Sequence, residues 1–467
     1  MVIDREELIA RITREVVARL SDGATPSLGD GVFPTVDEAV AAAAAAQKRV
    51  AAMSLADRGR MCGIVKRVCS DNAPELARIE LAETTLGRLD HKIAKLQNIR
   101  YVLGPEAMTS QAMSDASGLC VIEHAPWGVI GMVLPATHCV PTLASNAINI
   151  LAAGNTAVFS PHPAGAKVTA LGLRMFNREI ERELGVANVL TTVAEPSIQA
   201  AEEIFAHPGV ALLCVTGGPA VVKSAARFGK RVIAAGPGNP PVVVDETADL
   251  DLAAQSIILG ASFDNNILCI AEKEIFVLDQ VAGAFLEAMR RAGAIELDSA
   301  AIARLTQAAF RFDADGTPHV NKDYVGKDTA VLARAAGISL LSPVDLLCGE
   351  TAEDHPFVEE EQMMPFIPVV RFPNVDAAIA ASVKAEHGYR HTAIIHSRNV
   401  ENVTKMGRAM NCTLFIQNAP CYAALGIGGP SYLSHSIATP TGEGVTTPLT
   451  FTRERRIVVG GGALRVV

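Results

Sequence analysis

Nine cysteines offer thiols, and the segment around Cys269 is the most informative of their settings. Cys269 follows a short polar run, Asp264-Asn265-Asn266, and precedes an apolar, β-rich run, Glu274-Ile275-Phe276-Val277-Leu278. An ionised thiol so placed can attack an electrophilic carbon and hold a covalent intermediate. Cys139, Cys412 and Cys421 sit beside apolar packing residues and read as small hydrophobes. No CxxC pair occurs, so zinc ribbons and thioredoxin-like motifs are poorly supported and no metal site is expected. An odd number of irregularly spaced thiols fits a reduced, cytoplasmic protein. Two glycine turns could approach a phosphate: Thr216-Gly217-Gly218-Pro219, which follows a strand-like run and opens a helix, and Gly236-Pro237-Gly238. Neither forms GxGxxG, and Gly426-Ile427-Gly428-Gly429 fails at its last position.

The pattern around these residues alternates strands and helices. Strands are expected within 119–134, broken at Pro126, and at 157–159, 189–190, 211–215 and 231–234. Further strands are expected at 241–244, 274–278, 367–372, 392–396 and 413–416, with helices at 165–184, 197–206 and from Pro219. Such alternation predicts a parallel, doubly wound sheet. Residues 35–115 read as several helices, with Thr35 and Ser54 as N-caps. Residues 313–328 read as a loop, and the C-terminal segment from Thr450 ends in a strand. Residues 1–20 form an amphipathic pattern, with Ile3, Leu8, Ile9, Ile12, Val16 and Leu20 on one side and charges on the other. The polar segment 21–31 tethers it. A docking peptide fits that arrangement, and an ordinary first helix packed on its domain is the alternative.

With 467 residues, 49% hydrophobic and 19% charged, the chain can bury two or three cores. A net charge of -9 without a basic stripe argues against nucleic acid. No apolar run reaches membrane-spanning length, and the N-terminus lacks the pattern of a secretory signal.

Ten blocks in order resemble the aldehyde dehydrogenase superfamily. They are Ala125-Pro126-Trp127-Gly128-Val129-Ile130-Gly131, Pro135-Ala136-Thr137-His138, Ala153-Gly154-Asn155-Thr156, Ser160-Pro161-His162-Pro163 and Val215-Thr216-Gly217-Gly218. The others are Gly236-Pro237-Gly238-Asn239-Pro240, the Cys269 segment, Glu359 to Pro365, Glu386 to Ala393, and Thr441-Gly442-Glu443-Gly444. The chain looks most like the CoA-acylating members associated with bacterial microcompartments. That resemblance implies an α/β fold of two doubly wound parallel-sheet domains plus a small β oligomerisation arm. The implied division is 32–114 with 129–240 for the nucleotide, 241–438 for catalysis, and 115–128 with 439–467 for the arm.

The resemblance also implies roles. Cys269 would attack an aldehyde, hydride would pass to NAD, and the thioester would be released to coenzyme A. Hydrolytic relatives carry a water-activating glutamate at the position of Ala234, so no carboxylate is expected beside the sulfur. Thr137 matches an asparagine that donates to the oxyanion, with His138 next to it as a second candidate or a structural histidine. His391 is a candidate base or a structural histidine at a strand edge. Glu361 matches a glutamate that grips the nicotinamide ribose. Thr216, Gly217, Gly218 and Gly236 would face the cofactor. Ser160 and Pro163 replace a lysine and a glutamate that hold the adenosine ribose, and they flank His162 in a pocket shared with coenzyme A. A propionaldehyde or acetaldehyde substrate, a homodimer or homotetramer, and attachment of residues 1–20 to a microcompartment shell complete the expectation. The rivals are a hydrolytic aldehyde dehydrogenase and a non-catalytic cargo or scaffold protein.

Overall fold

The computed structural model describes residues 28–464, so the expected helix at 1–20 lies outside the described residues. Two parallel sheets organise the chain. The first has six strands in the order Val32–Phe33, Leu190–Val193, Thr156–Pro161, Val129–Leu134, Val210–Thr216 and Val232–Ala235. The second has seven: Ile295–Glu296, Leu347–Glu350, Phe366–Phe372, Glu274–Leu278, Pro241–Val244, Thr392–His396 and Leu414–Gln417. Every neighbouring pair in both sheets runs parallel. Strands such as Thr156–Pro161 and Glu274–Leu278 are buried at every position. Helices cover both of their faces, which is why these strands read as near-continuous apolar runs instead of alternating ones. Each fully buried Val, Leu, Ile or Phe contributes roughly 1.5–3 kcal/mol.

Thr35 and Ser54 do cap the helices Val36–Ala52 and Leu55–Asp71, accepting from the backbone N–H groups of Glu38 and Asp57. A third sheet pairs Gly118–Pro126 antiparallel with Gln111–Asp115 on one side and Thr452–Val459 on the other. Its first strand thus begins in the stretch read as helical. The expected loop at 313–328 holds the second strand of an antiparallel pair, Phe310–Phe312 with Pro318–Val320. Strands Ile295–Glu296 and Leu347–Glu350 were not anticipated, being too short, and in the second case glycine-containing, to show a period.

Several matched blocks turn out to join the sheets. Asn155 Oδ1 accepts from the N–H groups of Trp127 and Gly128 at 2.7 and 2.9 Å, while its amide donates to Phe451 O at 2.8 Å. Trp127 Nε1 donates to Thr452 O at 3.1 Å. These bonds root the antiparallel sheet in the first parallel one. Asn239 donates to Val358 O and Ala385 O, both at 2.9 Å, within the second unit. Among the described residues no helix is long and apolar enough to cross a membrane, and no cluster of three or more potential metal ligands occurs.

Candidate active site

Helix Leu250–Ala261 delivers the chain to Cys269 through three successive left-handed residues, Asp264, Asn265 and Asn266, with φ of 51°, 56° and 67°. A non-glycine residue there costs about 1–2 kcal/mol, less for Asp and Asn. The cost is met by hydrogen bonds. Asn265 donates to Gly326 O at 3.0 Å and Asp328 Oδ1 at 2.8 Å, and Asn266 donates to Ala261 O at 2.8 Å and Glu272 O at 2.9 Å. The buried ammonium of Lys273 ties the loop from below, donating to Asn266 O at 2.8 Å and Leu268 O at 3.1 Å. The polar run before Cys269 is therefore the device that turns the chain and fixes the thiol.

Gly238 is the meeting point of the candidate groups. A Cβ there would lie 2.5 Å from Cys269 O and 3.0 Å from His391 Cγ, so only glycine lets these strand ends approach. Gly238 N–H donates to Glu361 Oε1 at 3.3 Å. Cys269, His391 and Glu361 thus surround one turn. Desolvation, then the neighbouring Glu361 charge, pushes the Cys269 thiol up to about 12. Desolvation likewise raises the Glu361 carboxyl to about 7, against the opposing pull of Lys273. The His391 imidazole is pushed down to about 4 by burial and by Lys273, and is neutral at physiological pH. His391 Nδ1 lies 2.8 Å from Thr392 Oγ1, and its Nε2 has no partner. Glu361 contradicts the expectation that no carboxylate stands near the sulfur. Ala234 meets it: it is buried inside a strand, with its N–H donating to Thr441 Oγ1 at 3.0 Å.

Cys269 also lines an internal cavity. The walls are mainly apolar, from Phe263, Leu268, Ile270, Tyr422, Leu425 and Leu433, with Lys95, His138 and His435 as polar members. Behind it lies a buried charge network. Lys95 Nζ pairs with Asp264 Oδ2, approaches His138 Nδ1 at 2.9 Å and Thr137 O at 3.4 Å, and neighbours Lys92, which pairs with Glu80 at 2.9 Å. Thr137 itself is half-buried at the end of strand Val129–Leu134. Sequence reasoning missed Lys95, Asp264, Lys273 and His435. A lysine pattern in helix Leu89–Asn98 gives no sign of its partner 169 positions away.

The remaining candidates gather at the carboxyl ends of four adjacent strands. His162 and Pro163 follow Thr156–Pro161, in which Ser160 is buried. Thr137 and His138 follow Val129–Leu134, Gly217 and Gly218 follow Val210–Thr216, and Gly236 follows Val232–Ala235. The chain crosses from Leu190–Val193 over Val129–Leu134 to Val210–Thr216, so the strand order reverses beside Thr216. A crevice at such a reversal fits a dinucleotide. Gly218 has no neighbour within 4 Å of where a Cβ would be, which leaves room for close approach. Two features limit the glycine turn as a phosphate cradle. The helix it opens, Pro219–Ala225, has seven residues, and Thr216 Oγ1 is already bonded to Ser436 Oγ at 2.7 Å. His162 is exposed, with Nδ1 accepting from Ala164 N–H at 3.1 Å.

A thiol at a glycine turn, lining an apolar pocket in a chain of two parallel sheets, fits an enzyme that works through a covalent thiol intermediate. Residues 10–300 match the Aldehyde dehydrogenase family, and the chain belongs to it. It is 44% identical over 427 residues, 91% of each chain, to acetaldehyde dehydrogenase (acetylating) EutE of Salmonella typhimurium. The structure of Rhodopseudomonas palustris propionaldehyde dehydrogenase with bound CoA and an acylated cysteine is similar at TM-score 0.89 and 41% identity, covering 93% of this chain and 99% of that one. A propionaldehyde dehydrogenase from the Clostridium phytofermentans fucose utilisation bacterial microcompartment superposes at TM-score 0.90 with 37% identity, over 94% of this chain and 100% of that one.

Proposed function

We propose that this protein oxidises a short-chain aldehyde, acetaldehyde or propionaldehyde, to its acyl-CoA, with NAD and coenzyme A as cosubstrates. The observation that carries this reading is Cys269 at an apolar pocket, with the buried Ala234 at the position where hydrolytic relatives carry their water-activating glutamate. The likeness to CoA-acylating relatives across nine-tenths of the chain supports it.

The Cys269 thiolate adds to the carbonyl carbon, and the oxygen takes the charge beside the Cys269 N–H. NAD, when bound, accepts the hydride from that carbon. Cys269 is left as a thioester, and attack by the coenzyme A thiolate returns the Cys269 thiolate as leaving group. In the resting site the thiol is protonated and needs a base. His391 offers its free Nε2, provided that Nδ1–H donates to Thr392. His391 is assigned to proton movement around Gly238, and Glu361 to the ribose when cofactor is present. Thr216, Gly217, Gly218, Gly236, Ser160, His162 and Pro163 line the crevice for NAD and then coenzyme A. The loss of fixed ribose-gripping side chains at Ser160 and Pro163 supports that sharing.

Microcompartment residence is part of the proposal. It is supported by the amphipathic pattern of residues 1–20 and by the microcompartment origin of the Clostridium phytofermentans neighbour. Product analysis tests the chemistry: NADH and acyl-CoA should form one for one. A carboxylic acid in place of the acyl-CoA would establish the hydrolytic rival, and a protein inert with every short aldehyde the scaffold one.

A further inference from the structure

We propose that His138 Nε2–H is the second oxyanion donor and that Lys95 is the positioning residue that fixes its tautomer. The inference rests on Cys269 as nucleophile and deepens that reading. His138 is 6% exposed, and its ring lines the same cavity as Cys269. Its Nδ1 is 2.9 Å from Lys95 Nζ, whereas its Nε2 is buried with no partner. An ammonium has three donors and no acceptor. Lys95 faces three acceptors: Asp264 Oδ2, Thr137 O and His138 Nδ1. Burial lowers the Lys95 pKa and the paired Asp264 carboxylate pulls it back up; as the ammonium that this ion pair favours, Lys95 donates, so Nδ1 accepts and the ring proton sits on Nε2.

A buried N–H without a partner costs about 1–3 kcal/mol. An oxygen that gains negative charge inside the cavity would satisfy it. Such a donor stabilises the transition state more than the neutral aldehyde, because the charge is fully present only after thiolate attack. His138 stays neutral, since burial and the Lys95 charge hold it well below the usual imidazole range. It therefore donates without presenting a competing proton. His435 is the second imidazole lining this pocket, 5.7 Å away between centroids, and its Nε2 is also unpartnered. Among the described residues no charged neighbour is bonded to its ring to set its tautomer.

The test is single-turnover NADH formation without coenzyme A, with Cys269 alkylation by iodoacetamide as the measure of an intact site. His138→Phe should slow the burst about 10²–10³-fold with alkylation unchanged, and His138→Gln, which keeps an N–H, should recover most of the loss. His319→Phe, at an exposed histidine outside the site, should leave the burst intact. A normal burst in His138→Phe, or an equal loss in His138→Gln and His138→Phe, overturns the inference. Nitrogen-15 spectra of histidine-labelled enzyme provide a second readout that needs no variant to be active: His138 should carry its proton on Nε2, and Lys95→Met should let the tautomers mix. A proton on Nδ1 in the parent protein also overturns the inference. Failure of the wider functional reading looks different, since NADH would then be released steadily without coenzyme A or not at all.

Discussion

At the scale of single residues, the site is governed by burial and by the charge of Glu361. A negative neighbour disfavours a thiolate, so removing it lowers the thiol pKa. Glu361→Gln should therefore speed iodoacetamide alkylation of Cys269 severalfold at pH 8. An unchanged rate would mean that the carboxylate does not act on the sulfur. In the parent protein the alkylation rate should keep climbing with pH well past neutrality, because the thiol is pushed up to about 12. A plateau below pH 8 would contradict that. Cys269 stood out in the sequence because of the matched blocks around it, and the structure seats it at the Gly238 turn and in the apolar pocket. The closeness of Glu361 was not legible in the sequence, since 92 positions of chain separate them and only the fold closes the gap.

At the scale of elements, the catalytic loop depends on Asp264 more than on any residue the sequence singled out. Its carboxylate accepts from Arg88 N–H at 2.7 Å and pairs with Lys95 and Lys92. Burial alone would raise its pKa, but the two lysines hold it below the ordinary carboxylate range. Its stabilising contribution is therefore present above the unfolded-state pKa and lost as pH falls through the folded one. Asp264→Asn leaves Lys95 without a carboxylate, while Lys92 keeps Glu80, and should cost about 3–5 kcal/mol in urea unfolding at neutral pH. The difference from the parent should shrink below about pH 4. A variant as stable as the parent at neutral pH would show that the network carries no net stability. Gly238→Ala places a methyl against Cys269 O and His391, and should abolish turnover while the strands beyond remain folded by circular dichroism. The long buried strands were legible because their apolar runs are continuous. The edge strands were not, because two to four residues carry no period, and Gln111–Asp115 is exposed along its length.

At the scale of the whole molecule, the antiparallel sheet presents two free edges. Strand Thr452–Val459 is almost wholly exposed, with Ile457 52% and Val458 70% accessible. An eight-residue apolar-tipped edge invites pairing with another chain. Placing aspartate at both Ile457 and Val458 should shift sedimentation toward a smaller species, and an unchanged species would remove this edge from the assembly. Deleting residues 1–20 should release the protein from shells and preserve activity in solution.

The central claim is an acyl group held on Cys269 that water does not remove and coenzyme A does. Rapid mixing of enzyme, aldehyde and NAD without coenzyme A tests it most directly. One equivalent of NADH per Cys269 should appear and then stall, and adding coenzyme A should restart turnover. Continuous NADH formation without coenzyme A, accompanied by free carboxylic acid, would contradict the claim and assign Glu361 as the base for water.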